Sequence, residues 1–235
     1  MEFSLKISVS KVLKAVAIAD IHGSVAYVKQ LTSYVNSHNI HYVLIAGDIA
    51  VNRDNTTFNR IVKEILFNTH AKIIYVRGET DPLIEYGESN VLNVEHKQYA
   101  INEINIIGIP PFLDYELKLP IEGKIKAHVE HLSYLSKTAH EKKILLTHIP
   151  PYGLNVDKHP LKGNIGSVEL RDFIEKNQPR IVICGHVHSG IGIDSIRNTV
   201  VLNPGPFRRG YFVEFVVYAS SVAVKLSRFT LPFET

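Results

Sequence analysis

Short runs of uninterrupted apolar residues, many of them β-branched, recur along the chain, and segments of helical spacing separate the first of them. Lys14 to Ala19, His41 to Ala46 and Lys72 to Val76 are runs of this kind. Between them, Val25 to Ser37 carries Val28, Leu31 and Val35 on one helical face, and Thr56 to Asn68 carries Phe58, Ile61, Ile65 and Leu66. A strand with one wet face alternates apolar and polar residues. A continuously apolar strand is covered on both faces, as in parallel sheets flanked by helices. The first half of the chain is therefore expected to be an α/β unit.

Beyond it, Val91 to Ile109 reads as several short strands and Glu122 to Thr138 as a helix. Lys143 to Thr147 is again a strand. Ser167 opens a helix that runs to Asn177, where Gln178-Pro179 stops it. Arg180 to Cys184, Thr199 to Leu202, Tyr211 to Tyr218 and Val222 to Leu226 complete the set, with antiparallel pairing expected to be commoner in this half. No linker, charge block or repeat marks a seam, and 235 residues of which 45% are hydrophobic suffice for one sizeable core. Residues 1–235 are read as a single domain.

Several classes are set aside. Cys184 is the single cysteine, so an intrachain disulfide and thiolate metal sites are excluded, and the thiol reads as a small buried apolar group. The run Val12 to Ala19 ends in Asp20 with no small-residue cleavage site, and no run approaches the length of a membrane span. A cytoplasmic protein without a membrane partner is expected. The net charge of +3 comes from scattered lysines and arginines, so no nucleic-acid footprint stands out. The apolar tail leaves a homodimer open.

The chemistry lies just past the strand ends. Asp20-Ile21-His22-Gly23 follows the first strand, Gly47-Asp48 the second and Gly78-Glu79-Thr80-Asp81 the third. His148 follows the strand at Lys143, and Gly185-His186-Val187-His188 follows the one ending in Cys184. In α/β sheets ligands bind at this edge, so five loops are expected to meet in one crevice. Imidazoles and carboxylates without thiolates suit mid-series divalent ions such as Mn, Fe, Co, Ni or Zn. Each motif alone is commonplace: Asp-x-His caps helices, Gly-Asp makes turns, and His-x-His decorates loops. Their ordered occurrence at successive strand ends is not.

Together these residues resemble the calcineurin-like metallophosphoesterase superfamily, whose signature is Asp-x-His, Gly-Asp, Gly-Asn-His-Asp/Glu, an isolated His and Gly-His-x-His. The match runs from about Ala15 to Gly205 and leaves four of the five motifs intact. The resemblance implies a four-layer αββα sandwich, with two central mixed sheets flanked by helices. It further implies two divalent metal ions, with manganese favoured. Asp20, His22, Asp48 and His188 would hold one ion. Asp48, Glu79, His148 and His186 would hold the other, with Asp48 shared and a bridging hydroxide as nucleophile. Asp20, Asp48 and His148 would carry the catalytic centre. The implied activity is hydrolysis of a small-molecule phosphodiester or phosphomonoester. A nuclease is the runner-up among enzymes, and a protein-binding scaffold, as in the retromer branch, is the alternative of another class.

The third motif departs from the pattern at two positions. Glu79 stands where the family has Asn, which adds a negative charge to the centre. Thr80 stands where the family has the His that assists the departing alkoxide. Arg53, Arg77, His159 and Arg208 are candidate substrate contacts, His159 also as a replacement proton donor. Tyr152, Phe112, Tyr115 and Phe207 are candidates for lining a pocket.

Overall fold

In β1 (Lys11–Ile18) successive side chains look in opposite directions, and both directions are apolar. Ala15 and Ala17, with Ala19 just beyond, look toward a second sheet, whereas Val16 and Ile18 look toward helices. Small residues on the inner face let two sheets approach closely, and branched ones on the outer face fill the space beneath a helix. The computed structural model describes residues 11–86, 88–112, 120–127 and 142–230, and this division of labour organises all of them.

After β1 come α1 (Val28–Ser37), β2 (Tyr42–Ala46), α2 (Asn55–Phe67), β3 (Lys72–Val76) and β4 (Val91–Asn93). The strands β1 to β4 pair in parallel, and β13 (Tyr211–Tyr218) with β14 (Val222–Arg228) extends the sheet antiparallel beyond β1. The second sheet has the order β11-β12-β10-β7-β6-β5, built from β5 (Gln98–Ile101), β6 (Ile104–Ile109), β7 (Lys143–Thr147), β10 (Ile181–Ile183), β11 (Gly192–Ile196) and β12 (Thr199–Asn203). Its four central strands are parallel, and only the edges β5 and β11 are antiparallel. The second half is thus less antiparallel than its short strands suggested.

Leu44, Ile74 and Val76 of the first sheet pack on Ile106, Ile144, Leu146, Ile181 and Ile183 of the second. On the outer faces, α1 and α2 bury Leu31, Val35, Phe58 and Ile61 against the first sheet, and α3 (Val168–Asn177) buries Leu170 and Ile174 against the second. The expected four-layer αββα sandwich is the observed one. Phe207 is fully buried in the core beneath α1, so it lines no pocket, while Phe112 packs against the second sheet's outer face. Residues 122–127 are helical; the rest of the helix expected to Thr138 lies outside the described residues, as does Tyr115. No helix among the described residues is long and apolar enough to cross a membrane.

Helix ends follow local chemistry. The Asp54 carboxylate caps α2 by accepting from Thr56 N and Thr57 N. Ser167 Oγ caps α3 by accepting from Leu170 N, and the Glu122 carboxylate adds bonds from Val168 N and Glu169 N. The connection between β7 and α3 contains the two-residue strands β8 (Lys158–His159) and β9 (Gly163–Asn164). Asp157 holds it together. Its fully buried carboxylate accepts from the backbone N–H of Gly153, Leu154 and Gly166 and from Asn164 Nδ2 at 2.6–3.1 Å.

Asp157→Ala should therefore lower stability by roughly 2–3 kcal/mol, the cost of leaving buried donors unpaired. Urea unfolding measures it, and a change below about 0.5 kcal/mol would show that the connection is organised by something else.

Candidate metal centre

The five loops meet because their backbones continue to pair after the sheets end. Asp20 N donates to Gly47 O, His22 N to Asp48 O, Gly23 N to Ile49 O, Arg53 N to Thr80 O and Gly185 N to His148 O, all at 2.8–3.1 Å. The two sheets are joined at the same rim, where His148 Nδ1 lies 2.8 Å from Ala46 O and His186 N donates to Asp20 Oδ1 at 3.2 Å. Contact is close enough that two positions accept only glycine. A Cβ on Gly47, whose φ is +84°, would lie 2.5 Å from His148 Nδ1, and one on Gly78 would lie 2.1 Å from Asp48 Oδ1.

All seven sequence-predicted ligand residues fall in this rim. Asp20, His22 and His188 form one group, Glu79, His148 and His186 a second, and Asp20, Asp48 and His148 a third; within each group the ligand atoms lie within 4.8 Å of one another. Asp48 stands between the groups, with Oδ2 at 3.6 Å from both His22 Nε2 and His148 Nε2. Its other oxygen accepts from Thr80 N at 3.0 Å. Glu79 points inward, Oε2 at 2.8 Å from His148 Nε2 and Oε1 at 3.5 Å from His186 Nδ1. Asp20, His22, Asp48 and His186 all have positive φ, between +46° and +68°. A non-glycine residue held there is strained by about 1 kcal/mol or more, and strain of this sort concentrates at functional sites.

The donor chemistry fits cations. His22 Nε2 and His188 Nε2 lie 3.1 Å apart. Two neutral imidazoles cannot both present lone pairs to each other without something positive between them. Asp20 Oδ2 is buried with no hydrogen-bond partner. The bond from His148 Nδ1 to Ala46 O fixes the ring proton there and leaves Nε2 for a ligand, the usual support for a metal-bound imidazole. Burial works against charge throughout. It raises the Asp20 carboxyl, but the hydrogen bond to His188 and the fields of His148, His188 and His22 outweigh it and hold that group below the ordinary range. Burial would likewise discharge His148, yet Asp48 and Glu79 raise it well above 6.5. Glu79 is opposed by burial and held low by His148 and His186.

Sequence reasoning gave no role to Asp81, although it stands in the third motif. Its buried carboxylate accepts from Ala50 N at 2.7 Å and Gly78 N at 2.9 Å, tying the β2 loop to the β3 loop. Burial and the nearby Asp48 push it up to about 7 against those two donors. Asn203 is another such clamp: its Nδ2 donates to Val156 O and Val187 O, and its Oδ1 accepts from Gly205 N. The candidate substrate residues divide. Arg77 is committed to Glu95, which takes its backbone N–H at 2.6 Å and its guanidinium Nε at 2.8 Å. Arg53 is exposed, with Nε 3.4 Å from Glu79 O. Arg208 reaches His188 Nδ1 at 3.3 Å, and His159 lines a recess together with His186 and His188. Thr80 turns its hydroxyl away from the cluster, donating to Ala50 O at 3.0 Å.

A sequence model of the calcineurin-like phosphoesterase superfamily domain matches residues 13–219. A Methanocaldococcus jannaschii protein described as uncharacterised is 29% identical over 214 residues, covering 86% of this chain and 92% of its own. Human metallophosphoesterase domain-containing protein 1 is 25% identical over 182 residues, 75% of this chain and 53% of that protein, so the chain spans about half of this relative. Among solved structures, a Thermus thermophilus protein superposes with a TM-score of 0.68 at 15% identity, covering 91% of this chain and 98% of its own. A dimetal phosphatase from Danio rerio superposes with a TM-score of 0.66 at 10% identity, covering 92% and 96%. At these identities the structural likeness is one of fold.

Against its burial, Asp48 and Glu79 favour the protonated form of His148, so a divalent ion competes with a proton for Nε2. Metal binding should release protons, and apparent affinity should rise by about tenfold per pH unit for each proton displaced, levelling off once pH exceeds the His148 pKa. Calorimetry in buffers of different ionisation enthalpy reads the release directly. Affinity that is flat from pH 6 to 8 would contradict it. Gly78→Ala should weaken the same binding by displacing the Asp48 carboxylate, while a variant that binds metal as the native protein does would show the close approach to be unnecessary.

Proposed function

The chain belongs to the calcineurin-like phosphoesterase superfamily, and we propose that it is a metal-dependent phosphoesterase that favours phosphodiesters. The observation that carries this reading is the Asp48 carboxylate, equidistant at 3.6 Å from imidazoles of two separate donor groups. Asp20, His22, Asp48 and His188 fit one divalent ion, and Asp48, Glu79, His148 and His186 a second. Such ions would supply Lewis acidity that neutralises phosphoryl oxygens and activates water at neutral pH.

The chain's own residues set the rest. His148 is oriented by Ala46 O, Asp20 by the His186 N–H, and Asp48 by the Thr80 N–H, so the donor atoms are held by backbone groups and not by mobile side chains. Glu79 supplies a carboxylate where the family has a neutral amide, which lowers the positive charge of the centre. A dianionic monoester loses more attraction from that change than a monoanionic diester does. Thr80 offers no proton toward the cluster, because its hydroxyl is taken up by Ala50 O. A leaving group must therefore depart as an anion stable in its own right, which favours aryl or strained cyclic esters over simple alkyl ones. A docking scaffold has no use for buried, strained metal-ligand side chains, and these speak for catalysis.

With Mn²⁺, the protein is expected to hydrolyse bis(4-nitrophenyl) phosphate, and Asp48→Asn to lose more than about 100-fold of kcat/KM, at least the loss seen when metal-site support is removed. Wild-type inactivity across Mn²⁺, Co²⁺, Ni²⁺, Fe²⁺ and Zn²⁺ would refute the reading. Glu79→Asn should raise the monoester-to-diester ratio of kcat/KM by about fivefold or more, since one unit charge is worth roughly 1 kcal/mol even with water-like screening. A ratio that does not move would mean that Glu79 has no part in choosing the substrate.

A further inference from the structure

Beside the donor groups lies a recess of about 310 Å³ walled by His159, Pro160, His186, His188, Ser189 and Arg209. That is far more than the space one water molecule needs, and it leaves room beside a reacting phosphoryl group. Its two sides have different origins. His186 and His188 are candidate ligands, one from each end of the cluster, so anything in the recess is a direct neighbour of the reacting centre. His159 comes from the β7–α3 connection, and Arg209 from the turn of 3₁₀ helix at Phe207–Arg209.

The far wall is built, not incidental. Ser189 Oγ donates to Lys158 O at 2.9 Å, and Asn203 Nδ2 bonds both Val156 O and Val187 O. Gly190 packs so tightly beneath the connection that a Cβ there would lie 2.1 Å from Val156 O. The histidine loop and the β8–β9 hairpin therefore form one body. Within it, His159 Nδ1 accepts from the backbone N–H of Leu161 at 3.2 Å and of Lys162 at 3.3 Å. That places the ring proton on Nε2 and makes the ring a fixed hydrogen-bond donor. Protonating Nδ1 as well would set a third N–H against those two, so the geometry suits donation to a ligand and not transfer of a proton to a leaving group.

Among the described residues no carboxylate lines the recess and the Arg209 guanidinium is in no ion pair. A wall that offers a guanidinium and an imidazole N–H, with no acidic residue to answer them, is complementary to an anion. We propose that the recess is a subsite for a second anionic group of the substrate, a phosphate or carboxylate carried on one ester arm of the diester. Arg209 and His159 Nε2 grip it while the reacting phosphorus sits at the donor cluster. The placement of the reacting group rests on the hydrolase reading above; the subsite itself does not.

Two measurements separate the ideas. Pyrophosphate titrated into the protein in excess chelator, followed by calorimetry and by the His159 ring resonances, is expected to bind. Arg209→Ala should weaken it about tenfold, the loss of one charge-assisted hydrogen bond, with Arg209→Lys and His159→Gln intermediate. With the Mn²⁺-loaded protein, two 4-nitrophenyl phosphodiesters are compared, one whose second arm ends in a phosphate and one whose arm ends in a hydroxyl. Their ratio of kcat/KM should fall about tenfold in Arg209→Ala. Pyrophosphate binding that Arg209→Ala leaves intact, or a ratio that it leaves unchanged, overturns the proposal. Should the loaded protein split neither diester while Arg209-dependent binding persists, the subsite stands and the hydrolase reading fails instead.

Discussion

Where the two sheets meet at their rim, an imidazole of one is bonded to a backbone carbonyl of the other, His148 Nδ1 to Ala46 O at 2.8 Å. The loops from the two sheets can converge only if the backbones come this close, and much of the interior serves that end. Ala15, Ala17 and Ala19 keep the inner face of β1 thin, Gly47 removes the one side chain that would collide with His148, and Gly78 makes room for Asp48. With a leucine in place of any of these alanines the sheets would stand further apart. Each donor group draws side chains from both sheets, so each would be pulled apart. The core packing and the candidate chemistry are in this sense one constraint, met at both ends of the same strands.

Bringing them together has an electrostatic cost. Asp20, Asp48, Glu79, Asp81 and His148 are wholly or largely removed from water within one small volume. Without a cation, the chain offsets their burial by pairing them with each other: Glu79 with His148, Asp20 with His188 and His186, Asp81 with two backbone N–H groups. The pairing is incomplete, since Asp20 Oδ2 is left without a hydrogen bond, and four of the seven candidate ligand residues, Asp20, His22, Asp48 and His186, are held at positive φ. Strain and unmet polarity confined to one rim of an otherwise well-packed sandwich indicate a site shaped for something other than its own stability.

How much of this the sequence revealed depends on how local each signal is. The bounds of β3 and β7 are readable because a buried strand in a parallel sheet has no polar residue between its first position and its exit from the sheet, so Lys72–Val76 and Lys143–Thr147 mark themselves. The candidate ligands are readable for a related reason, lying within three residues of the ends of those runs. The hairpin β8–β9 is not, because its two-residue strands carry no periodicity. Nor is β11, where Gly192, Asp194 and Ser195 read as a loop and only pairing with β12 makes a strand. The commitment of Arg77 to Glu95, 18 residues on, and the role of Asp157 depend on which buried groups meet in space. An arginine directly before a candidate ligand looks the same in sequence whether its partner is a substrate or a buried glutamate.

The two departures in the third motif then separate, although they are adjacent in the chain. Glu79 keeps the place of the family's ligand and brings a longer, charged side chain into it, reaching 2.8 Å from His148 Nε2. Thr80 abandons the place of the family's proton donor and becomes part of the frame, its N–H on Asp48 and its hydroxyl on Ala50 O. One substitution alters the charge of the centre, and the other converts a chemical role into a structural one that steadies the shared carboxylate. On the hydrolase reading proposed above, both would lower the centre's capacity to expel a poor leaving group. Neither removes a donor that would hold the ions. A centre of reduced positive charge gains from a second place to hold an anionic substrate. Arg209, His159 and Arg208 lie in segments far from Glu79 in the chain, anchored independently of it by Asn203 and Asp157. On the proposed reading, substrate choice would be free to change in those segments while the geometry of the ligand rim stays fixed by the sheets.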